Sequence, residues 1–199
     1  MNLPYQSHAL QDCFVANILN FKRNGFFIDI GACHAVSANN SYALEALDWS
    51  GICIEIDSQH NKSFEGRKCE YINGDATKID YPKLLWELAA PKVIDYLSLD
   101  IDALSTQVLK KLPLDKYIFT IITIEHDEYH LGNIYRNEQR EILLKNGDYV
   151  LYCPDVLVPV QPDTQPDSAF EDWYLHKSIL PKIQMNARMY PKDIITALQ

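Results

Sequence analysis

The chain of 199 residues has the length of a single domain, because domains commonly contain about 100–200 residues. Hydrophobic residues make up 47% and charged residues 23% of the sequence, which is typical of a folded globular protein and argues against disorder. The formal net charge of -9, from 27 acidic and 18 basic residues, would repel phosphate backbones and anionic lipids. We therefore expect no nucleic acid partner.

The five cysteines stand singly, with no C-x-x-C pair, and this pattern favours reduced, mostly buried thiols. The N-terminal residues lack a basic segment followed by a long apolar stretch, so no signal peptide is predicted. No run of about 18 consecutive apolar residues occurs, so we expect no membrane insertion. The expected location is cytoplasmic, and the sequence leaves the oligomeric state open.

The apolar pattern alternates between short strand-like runs and longer segments with helical spacing. An amphipathic helix is predicted over residues 5–21, since Leu10, Phe14, Ile18 and Phe21 recur at helical spacing. Runs without period-2 alternation predict strands buried on both faces, at 26–30, 52–56, 93–99 and 117–124, with a shorter strand at 70–73. Helices are predicted between them, at 39–48, 81–88, 105–112 and 137–145.

The last fifty residues have a different pattern. From Tyr149 the chain is strand-like through Val160, and the Pro- and Asp-rich residues 161–168 predict a loop. A final strand is predicted at 170–175. Because strands alternate with helices over most of the chain, the sequence predicts βαβ units in one α/β domain with a doubly wound, mostly parallel sheet.

Ligands of such sheets bind outside the carboxyl ends of the strands, so the residues that follow each strand are the candidates for a site. Asp29 and Gly31 come at the end of the first strand. The dinucleotide fingerprint G-x-G-x-x-G is absent, and Cys33 and His34 would crowd a pyrophosphate where that motif has glycine. One acid beside one glycine suits a ligand that has an ammonium group and no phosphate. The alternative is a plain βα turn.

Acidic residues also follow the second and third strands. Glu55 comes 24 residues after Gly31, which agrees with the spacing of about 20 expected for an acid that accepts ribose hydroxyls. Asp75 follows the third strand in an N-G-D sequence, where its carboxylate can meet an adenine amino group. The alternatives are an exposed strand-end carboxylate for Glu55 and an ordinary turn for Asp75.

Further candidates follow the fourth and fifth strands. Asp100 and Glu125 are expected to meet at one crevice, beside His126. A histidine suits proton removal at neutral pH, so His126 is a candidate general base; the alternative is a strand-end histidine that hydrogen-bonds a neighbour. Residues 125–130 contain metal-ligating types, but no cysteine flanks them, and we expect no metal.

Several stretches, in order along the chain, resemble the FkbM-type methyltransferases. The first covers Gln11-Asp12 through residues 25–32, and the second continues over residues 37–45 and 49–55. Residues 94–102 resemble that family's second signature and residues 124–126 its third. Phe170-Glu171-Asp172-Trp173-Tyr174 is similar to a late F-E-D-W motif.

The resemblance implies a Rossmann-like sheet of the class I methyltransferase fold, S-adenosylmethionine as methyl donor, and O-methylation of a hydroxyl on a sugar, glycan or small metabolite. By this analogy each end of the cofactor has its own residues: Asp29 and Gly31 hold the methionine end, Glu55 the ribose and Asp75 the adenine, and Asn40 and Asp100 complete the cofactor site. Since an alcohol must lose its proton as the methyl group arrives, the catalytic candidates are His126, Asp100 and Glu125.

The sequence departs from the family pattern at three places. Ala35 stands where relatives often have glycine, Ile56 replaces a common proline, and Asp102-Ala103 replaces Glu-Gly. A non-catalytic protein of the same fold is therefore one alternative, and a nucleotide-dependent oxidoreductase is another. The residues after the fourth strand, Leu99 to Asp102, lack the D/N-P-P-Y/F element of enzymes that methylate amino groups of nucleic acids.

Overall fold

The computed structural model describes residues 3–145, 147–157, 168–181, 185 and 188–199. Seven strands form one sheet: β1 (Phe26–Ile30), β2 (Ser50–Glu55), β3 (Glu70–Asn73), β4 (Val93–Leu99), β5 (Ile118–Glu125), β6 (Tyr149–Leu157) and β7 (Ala169–His176). Their order across the sheet is β3-β2-β1-β4-β5-β7-β6. The first five strands are parallel, and β7 is antiparallel to both β5 and β6. This confirms the predicted mostly parallel α/β sheet.

Helices cover both faces of the sheet, as the unbroken apolar runs of the central strands require. They are α1 (Gln11–Ile18), α2 (Tyr81–Glu87), α3 (Ser105–Leu109), α4 (Glu128–Leu131), α5 (Asn133–Leu144) and α6 (Pro191–Leu198). One buried cluster joins α1 and α6 to the sheet, with the rings of Phe14 and Trp173 4.4 Å apart. The other cluster joins α2, α3 and α5 to the opposite face. The sheet is therefore doubly wound.

The predicted helix over residues 5–21 is wrong at both ends. Leu10 has a left-handed backbone (φ 60°), so α1 begins only at Gln11. The carboxylate of Asp12 accepts the backbone N–H groups of Gln6 and Ser7 and holds the preceding residues in a loop. Phe21 is also left-handed and donates its N–H to Ala16 in a C-terminal turn, a common helix ending.

The predicted helix over residues 39–48 is a 3₁₀ helix over Tyr42–Leu47. The side-chain oxygen of Asn39 accepts the N–H groups of Ser41 and Tyr42 and so delays the start. A left-handed Asp48 (φ 61°) ends it. Local hydrogen bonds from asparagine compete with regular helix, and this explains the difference.

Other boundaries differ by a few residues. The helix predicted at 105–112 ends at Leu109, and the one predicted at 137–145 begins at Asn133. The predicted strand from Tyr149 runs as β6 to Leu157; its continuation to residue 160 and the predicted loop up to residue 167 lie outside the described residues. Within the part of the chain that the structure describes, no helix has both the length and the apolar character to cross a bilayer.

Candidate functional site

A cavity of about 320 Å³ opens at the carboxyl ends of β1 to β4, where ligands of open parallel sheets bind. Its volume is at the small end of the range of about 300–1,000 Å³ found for ligand pockets. Four of the predicted cofactor residues line it, namely Gly31, Glu55, Asp75 and Asp100. The topology of the sheet therefore brings together residues that are up to 69 positions apart (100 minus 31).

Gly31 allows two strand ends to approach closely. A Cβ atom at this position would lie 1.9 Å from the backbone carbonyl oxygen of Asp100, and the backbone has φ +83°. Any side chain would both clash and adopt a strained conformation. The glycine therefore lets the loop after β1 pack against the loop after β4, and that contact forms the floor of the cavity.

Glu55 organises the loop after β1. One carboxylate oxygen accepts the backbone N–H of Cys33 at 2.8 Å, and the other accepts the N–H of Asp57 at 2.7 Å. Cys33 has a left-handed backbone (φ 49°), so the hydrogen bond helps to hold a strained residue. An ionised carboxylate offers about four acceptor sites, and Glu55, which lines the cavity, keeps two of them for a ligand.

Asp75 is more constrained than the sequence indicated. Its carboxylate accepts the N–H and the hydroxyl of Thr77, at 2.9 and 2.6 Å, and pairs with Lys78 at 2.9 Å. The hydrogen bond from the Thr77 hydroxyl, followed by the one from Lys78, lowers the pKa of Asp75 to about 2. The side chain caps a short 3₁₀ turn and still lines the cavity.

Asp29 and Asn40 lie beneath the cavity, together with Ser98 and Ser41. Asp29 is fully buried and accepts the hydroxyl of Ser41 at 2.8 Å, and burial raises its pKa to about 6. The amide of Asn40 donates to Ser98 at 3.0 Å and to Asp100 at 3.2 Å. The second oxygen of Asp29 and the oxygen of Asn40 are buried and accept no hydrogen bond among the described residues. Two acceptors thus remain for a donor of a ligand or a water molecule.

Asp100 and Glu125 form a carboxyl pair at the ends of β4 and β5, which are neighbours in register. Burial, followed by the negative charges of Asp100 and Asp127, raises the pKa of Glu125 far above its usual range. Burial also raises the pKa of Asp100, while hydrogen bonds from Glu125 and Asn40 act in the opposite direction. The two carboxyl groups therefore hold a proton more readily than two isolated carboxyl groups do. Glu125 also accepts the N–H of Asp102 at 2.8 Å.

The structure does not bring His126 to the cavity. Its side chain is fully buried, its Nδ1 accepts the N–H of Glu128 at 3.1 Å, and its Nε2 lies 3.6 Å from a carboxylate oxygen of Asp172. The N–H of His126 donates to the carbonyl of Phe170, which extends the pairing between β5 and β7. A proton-accepting role would require the ring to leave this position, so the surroundings favour a structural histidine.

Among the residues that the structure describes, two groups of side chains have the spacing of metal ligands. Asp102, Glu125 and Asp127 offer oxygen atoms within 4.8 Å of one another, and so do the ligand atoms of His126, Asp155 and Asp172. In the second group Arg140 bonds both aspartates, at 2.7 Å to Asp155 and 2.8 Å to Asp172, so a cation is already supplied. The absence of a metal from the first group stays a prediction.

Several residues that line the cavity or lie near it were not among the predicted site residues. Ile56 and Leu104 line the cavity with side chains that are 68% and 51% exposed, and they give it apolar walls. Arg67 is almost fully buried and donates to the hydroxyl of Ser41 at 3.2 Å, which connects it to Asp29. In the sequence, only an apolar residue next to a strand-end acid indicates these walls, and none of the sequence neighbours of Arg67 indicates that it belongs to the site.

Comparison with known proteins gives structural matches only. The sequence matches no protein-family model and no curated protein. A TehB-like SAM-dependent methyltransferase from Corynebacterium glutamicum matches with a TM-score of 0.52 at 10% identity, over 82% of this chain and 87% of that one. An rRNA methylase from Streptococcus thermophilus matches with 0.52 at 13%, over 84% and 94%.

A third match is spermidine synthase from Thermotoga maritima, with a TM-score of 0.56 at 12% identity, over 96% of this chain and 71% of that one. At these identities the likeness concerns the fold alone. The chain has the Rossmann-like fold of class I methyltransferases, as the order of its strands and the position of its cavity also indicate.

Proposed function

We propose that this protein is an S-adenosylmethionine-dependent methyltransferase of the FkbM type that methylates a hydroxyl group of a sugar or another small metabolite. One observation carries the proposal. Residues singled out at the ends of four different strands, Gly31, Glu55, Asp75 and Asp100, line a single cavity in a sheet with the strand order of class I methyltransferases.

The residues present fit this cofactor. Ile56 and Leu104 provide apolar walls suited to the faces of an adenine ring, and Asp75 lines the same cavity. Glu55 has two acceptor sites left for the ribose hydroxyls. The unpaired buried oxygens of Asp29 and Asn40 offer acceptors to an ammonium group at the methionine end. When bound, S-adenosylmethionine supplies an electrophilic methyl group on a positively charged sulfur.

The same cavity is unsuited to a dinucleotide. A pyrophosphate needs free backbone N–H groups and close backbone approach. The N–H of Cys33 is already bonded to Glu55, and an acid stands in or just after the last residues of every strand that borders the cavity. Opposite charges attract and like charges repel most strongly in such partly buried sites. The acids therefore favour a cationic cofactor over an anionic one.

Asp100 and Glu125 are the residues best placed to manage the proton of the acceptor. Asp100 lines the cavity as a carboxylate, and Glu125 holds it in place through a shared proton. A carboxylate within hydrogen-bond reach of the acceptor hydroxyl takes its proton as the new bond forms. Positioning supplies the larger part of the acceleration, since well-oriented groups reach effective molarities of about 10⁵–10⁸ M.

His126 stays in the proposal as the third catalytic candidate, and its variants distinguish two roles. If it is the general base, His126→Gln should lower turnover by about 10²–10⁴-fold and leave the melting temperature nearly unchanged. If it is a structural residue paired with Asp172, the melting temperature falls and the remaining folded enzyme keeps its turnover. Its burial and contacts favour the second outcome.

The acidic rim argues for a small acceptor rather than a nucleic acid. Asp102 and Asp127 stand beside the carboxyl pair, and burial, together with the charges of Asp102 and Asp100, raises the pKa of Asp127 to about 6. A phosphate backbone approaching these groups would meet like charge. Proteins of this fold include an rRNA methylase, so RNA is the comparison substrate in the test.

The direct test is methyl transfer from S-adenosylmethionine labelled in the methyl group to a panel of sugars, small hydroxyl-bearing metabolites and total RNA. The proposal expects label on a hydroxyl compound and none on RNA. Asp100→Asn should abolish transfer, while the matched control Asp115→Asn, an exposed aspartate in the turn before β5, should leave it unchanged. Label on RNA alone would contradict the proposed acceptor class, and failure to bind the cofactor would contradict the proposed activity.

A further inference from the structure

The cavity has a thiol on its wall that the proposed reaction does not use. Cys33 lines the cavity and its side chain is exposed to solvent. All five cysteines lie in the part of the chain that the structure describes: Cys69 is half-buried, and the other three are buried. Cys33 is therefore the thiol that a dissolved reagent reaches most easily.

The backbone of Cys33 is held in one position. Its N–H donates to the Glu55 carboxylate at 2.8 Å, and its φ of 49° is left-handed, which few non-glycine residues adopt. Just before it, Gly31 and Ala32 both donate their N–H groups to the carbonyl of Ile54. These contacts tie the loop after β1 to the end of β2, and so they fix the direction in which the thiol leaves the backbone.

An imidazole lies beside this thiol. The Sγ of Cys33 is 3.7 Å from Nε2 of His60, which belongs to the 3₁₀ helix after β2. The ring of His34 stands nearly perpendicular to that of His60, with the ring centroids 6.1 Å apart. The Nδ1 of His34 accepts the N–H groups of Val36 and Ser37, so that ring is fixed and supports its neighbour. Thiol and imidazole are thus held in contact at the wall of the cavity.

A thiol in contact with an imidazole nitrogen has the arrangement of an activated nucleophile. The thiolate is the reactive form of cysteine, and an adjacent base generates it by accepting the proton as the sulfur attacks. An imidazole that carries its proton on Nδ1 has Nε2 free as an acceptor. His60 therefore accepts the proton of Cys33 directly, with no rearrangement of the loop.

The surroundings of the thiol select a reagent by its charge. Glu55, Asp75, Asp100 and Asp102 line the same cavity, and none of the described residues that line it is a lysine or arginine. A cleft lined by one sign of charge concentrates molecules of the opposite sign. The cavity therefore favours small cationic reagents over anionic ones.

We propose that Cys33 is a modification site that forms a mixed disulfide with small, positively charged disulfides, and that His60 is the base of this exchange. The cavity of about 320 Å³ is at the small end of the range for ligand pockets, so a group attached to Cys33 competes with the cofactor for the same space. This consequence for the cofactor rests on the proposed function, whereas the exchange itself does not.

The exchange is balanced without any further reactant. The sulfur of Cys33 attacks one sulfur of the small disulfide, and its proton passes to Nε2 of His60. The new S–S bond forms as the old one breaks, and the electron pair of the broken bond leaves on the other sulfur as a thiolate. This thiolate takes the proton from the imidazolium. The cysteine is oxidised to a mixed disulfide, the reagent is reduced to a small thiol, and excess thiol reverses the step.

The experiment measures the rate of adduct formation on the full chain by mass spectrometry, and peptide mapping locates the adduct. The probes are cystamine, which is cationic, and oxidised glutathione, which is anionic. Each rate is divided by the rate of the same reagent with mercaptoethanol, which removes the intrinsic reactivity of the reagent. Cystamine should then be favoured by about tenfold or more, and high salt should reduce this preference because it screens the carboxylates.

Two histidine variants test the base. His60→Gln should slow the reaction of Cys33 with cystamine by about tenfold or more. It should leave the affinity for S-adenosylhomocysteine unchanged, because His60 is not among the residues that line the cavity. The matched control His176→Gln, after β7 at the opposite end of the sheet, should react like the wild type. Cys33→Ser should form no adduct at this position.

S-adenosylhomocysteine connects the modification to the cofactor, since it should bind and protect Cys33 from cystamine. Binding without protection would overturn the competition for the cavity. The modification site itself is overturned by an adduct mainly on Cys69, by equal rates for His60→Gln and the wild type, or by a preference for oxidised glutathione. If S-adenosylhomocysteine does not bind while cystamine still modifies Cys33 with the help of His60, the proposed function fails and the modification site stands.

Discussion

Glu55 is expected to bind the ribose of the cofactor, and Glu55→Gln tests this with the least change in shape. The carboxylate already accepts two backbone N–H groups, from Cys33 and Asp57, and keeps about two acceptor sites for the two hydroxyls. Hydrogen bonds to charged groups contribute about 1.5–3 kcal/mol each. Losing both at the lower value costs about 3 kcal/mol, or a roughly 100-fold weaker affinity.

The structure also predicts a cost in the free protein. An amide at position 55 has one acceptor oxygen, so one of the two backbone N–H groups loses its partner. The loss of one such bond should lower the free energy of unfolding by about 1 kcal/mol. Glu70→Gln, at the exposed start of β3, is the matched control and should change neither affinity nor stability.

The assay is calorimetric titration with S-adenosylhomocysteine and with its 2′-deoxy analogue. The wild type should bind the deoxy analogue about tenfold more weakly, which corresponds to about 1.4 kcal/mol. Glu55→Gln should bind both compounds weakly and with nearly equal affinity, because the carboxylate that accepts the hydrogen bond of the hydroxyl is gone. If the variant weakens both by the same factor and keeps the tenfold ratio, Glu55 only shapes the loop and the ribose assignment is refuted.

Three further predictions concern stability and are measured by chemical denaturation. Gly31→Ala should lower the free energy of unfolding by about 3 kcal/mol, because the new Cβ would clash at 1.9 Å and the φ would be strained. The control Gly66→Ala, at φ +87° with no neighbour within 4 Å, should lower it by only about 1 kcal/mol. Equal losses in the two variants would contradict the close packing around Gly31. Burial is the main reason why the pKa of Asp29 rises from 3.8 to about 6, so the folded state binds this proton more tightly than the unfolded state does. The resulting stabilisation is present below about pH 4 and is lost as the pH rises to about 6. Asp29→Asn should remove this pH dependence, and an unchanged pH profile of the variant would mean that Asp29 is not buried in this way. Arg140→Ala should cost about 3 kcal/mol because it leaves the fully buried Asp172 without its cation, and a cost below about 1 kcal/mol would show that the pair is solvated.

The sequence predicted the strands well because those strands are buried on both faces and read as unbroken apolar runs. The bounds of β1, β3 and β4 agree with the prediction. Helices were predicted less accurately, since their ends depend on single side-chain hydrogen bonds. Asp12 and Asn39 each hold their neighbours in a non-helical conformation, and hydrophobic spacing contains no information about such bonds.

The site likewise contains residues that the sequence could predict and residues that it could not. Glu55 and Asp100 could be found because topology alone fixes where the ends of parallel strands meet. The surroundings of His126 could not be predicted, because its N–H donates to the carbonyl of Phe170. Phe170 comes 44 positions later in the chain and lies on an antiparallel strand.

The central claim is that the cavity binds S-adenosylmethionine, and calorimetric titration of the full chain with S-adenosylhomocysteine and, separately, with NADH tests it most directly. We expect saturable one-to-one binding of S-adenosylhomocysteine and no saturable heat with NADH. Saturation by NADH with no heat from S-adenosylhomocysteine would contradict it.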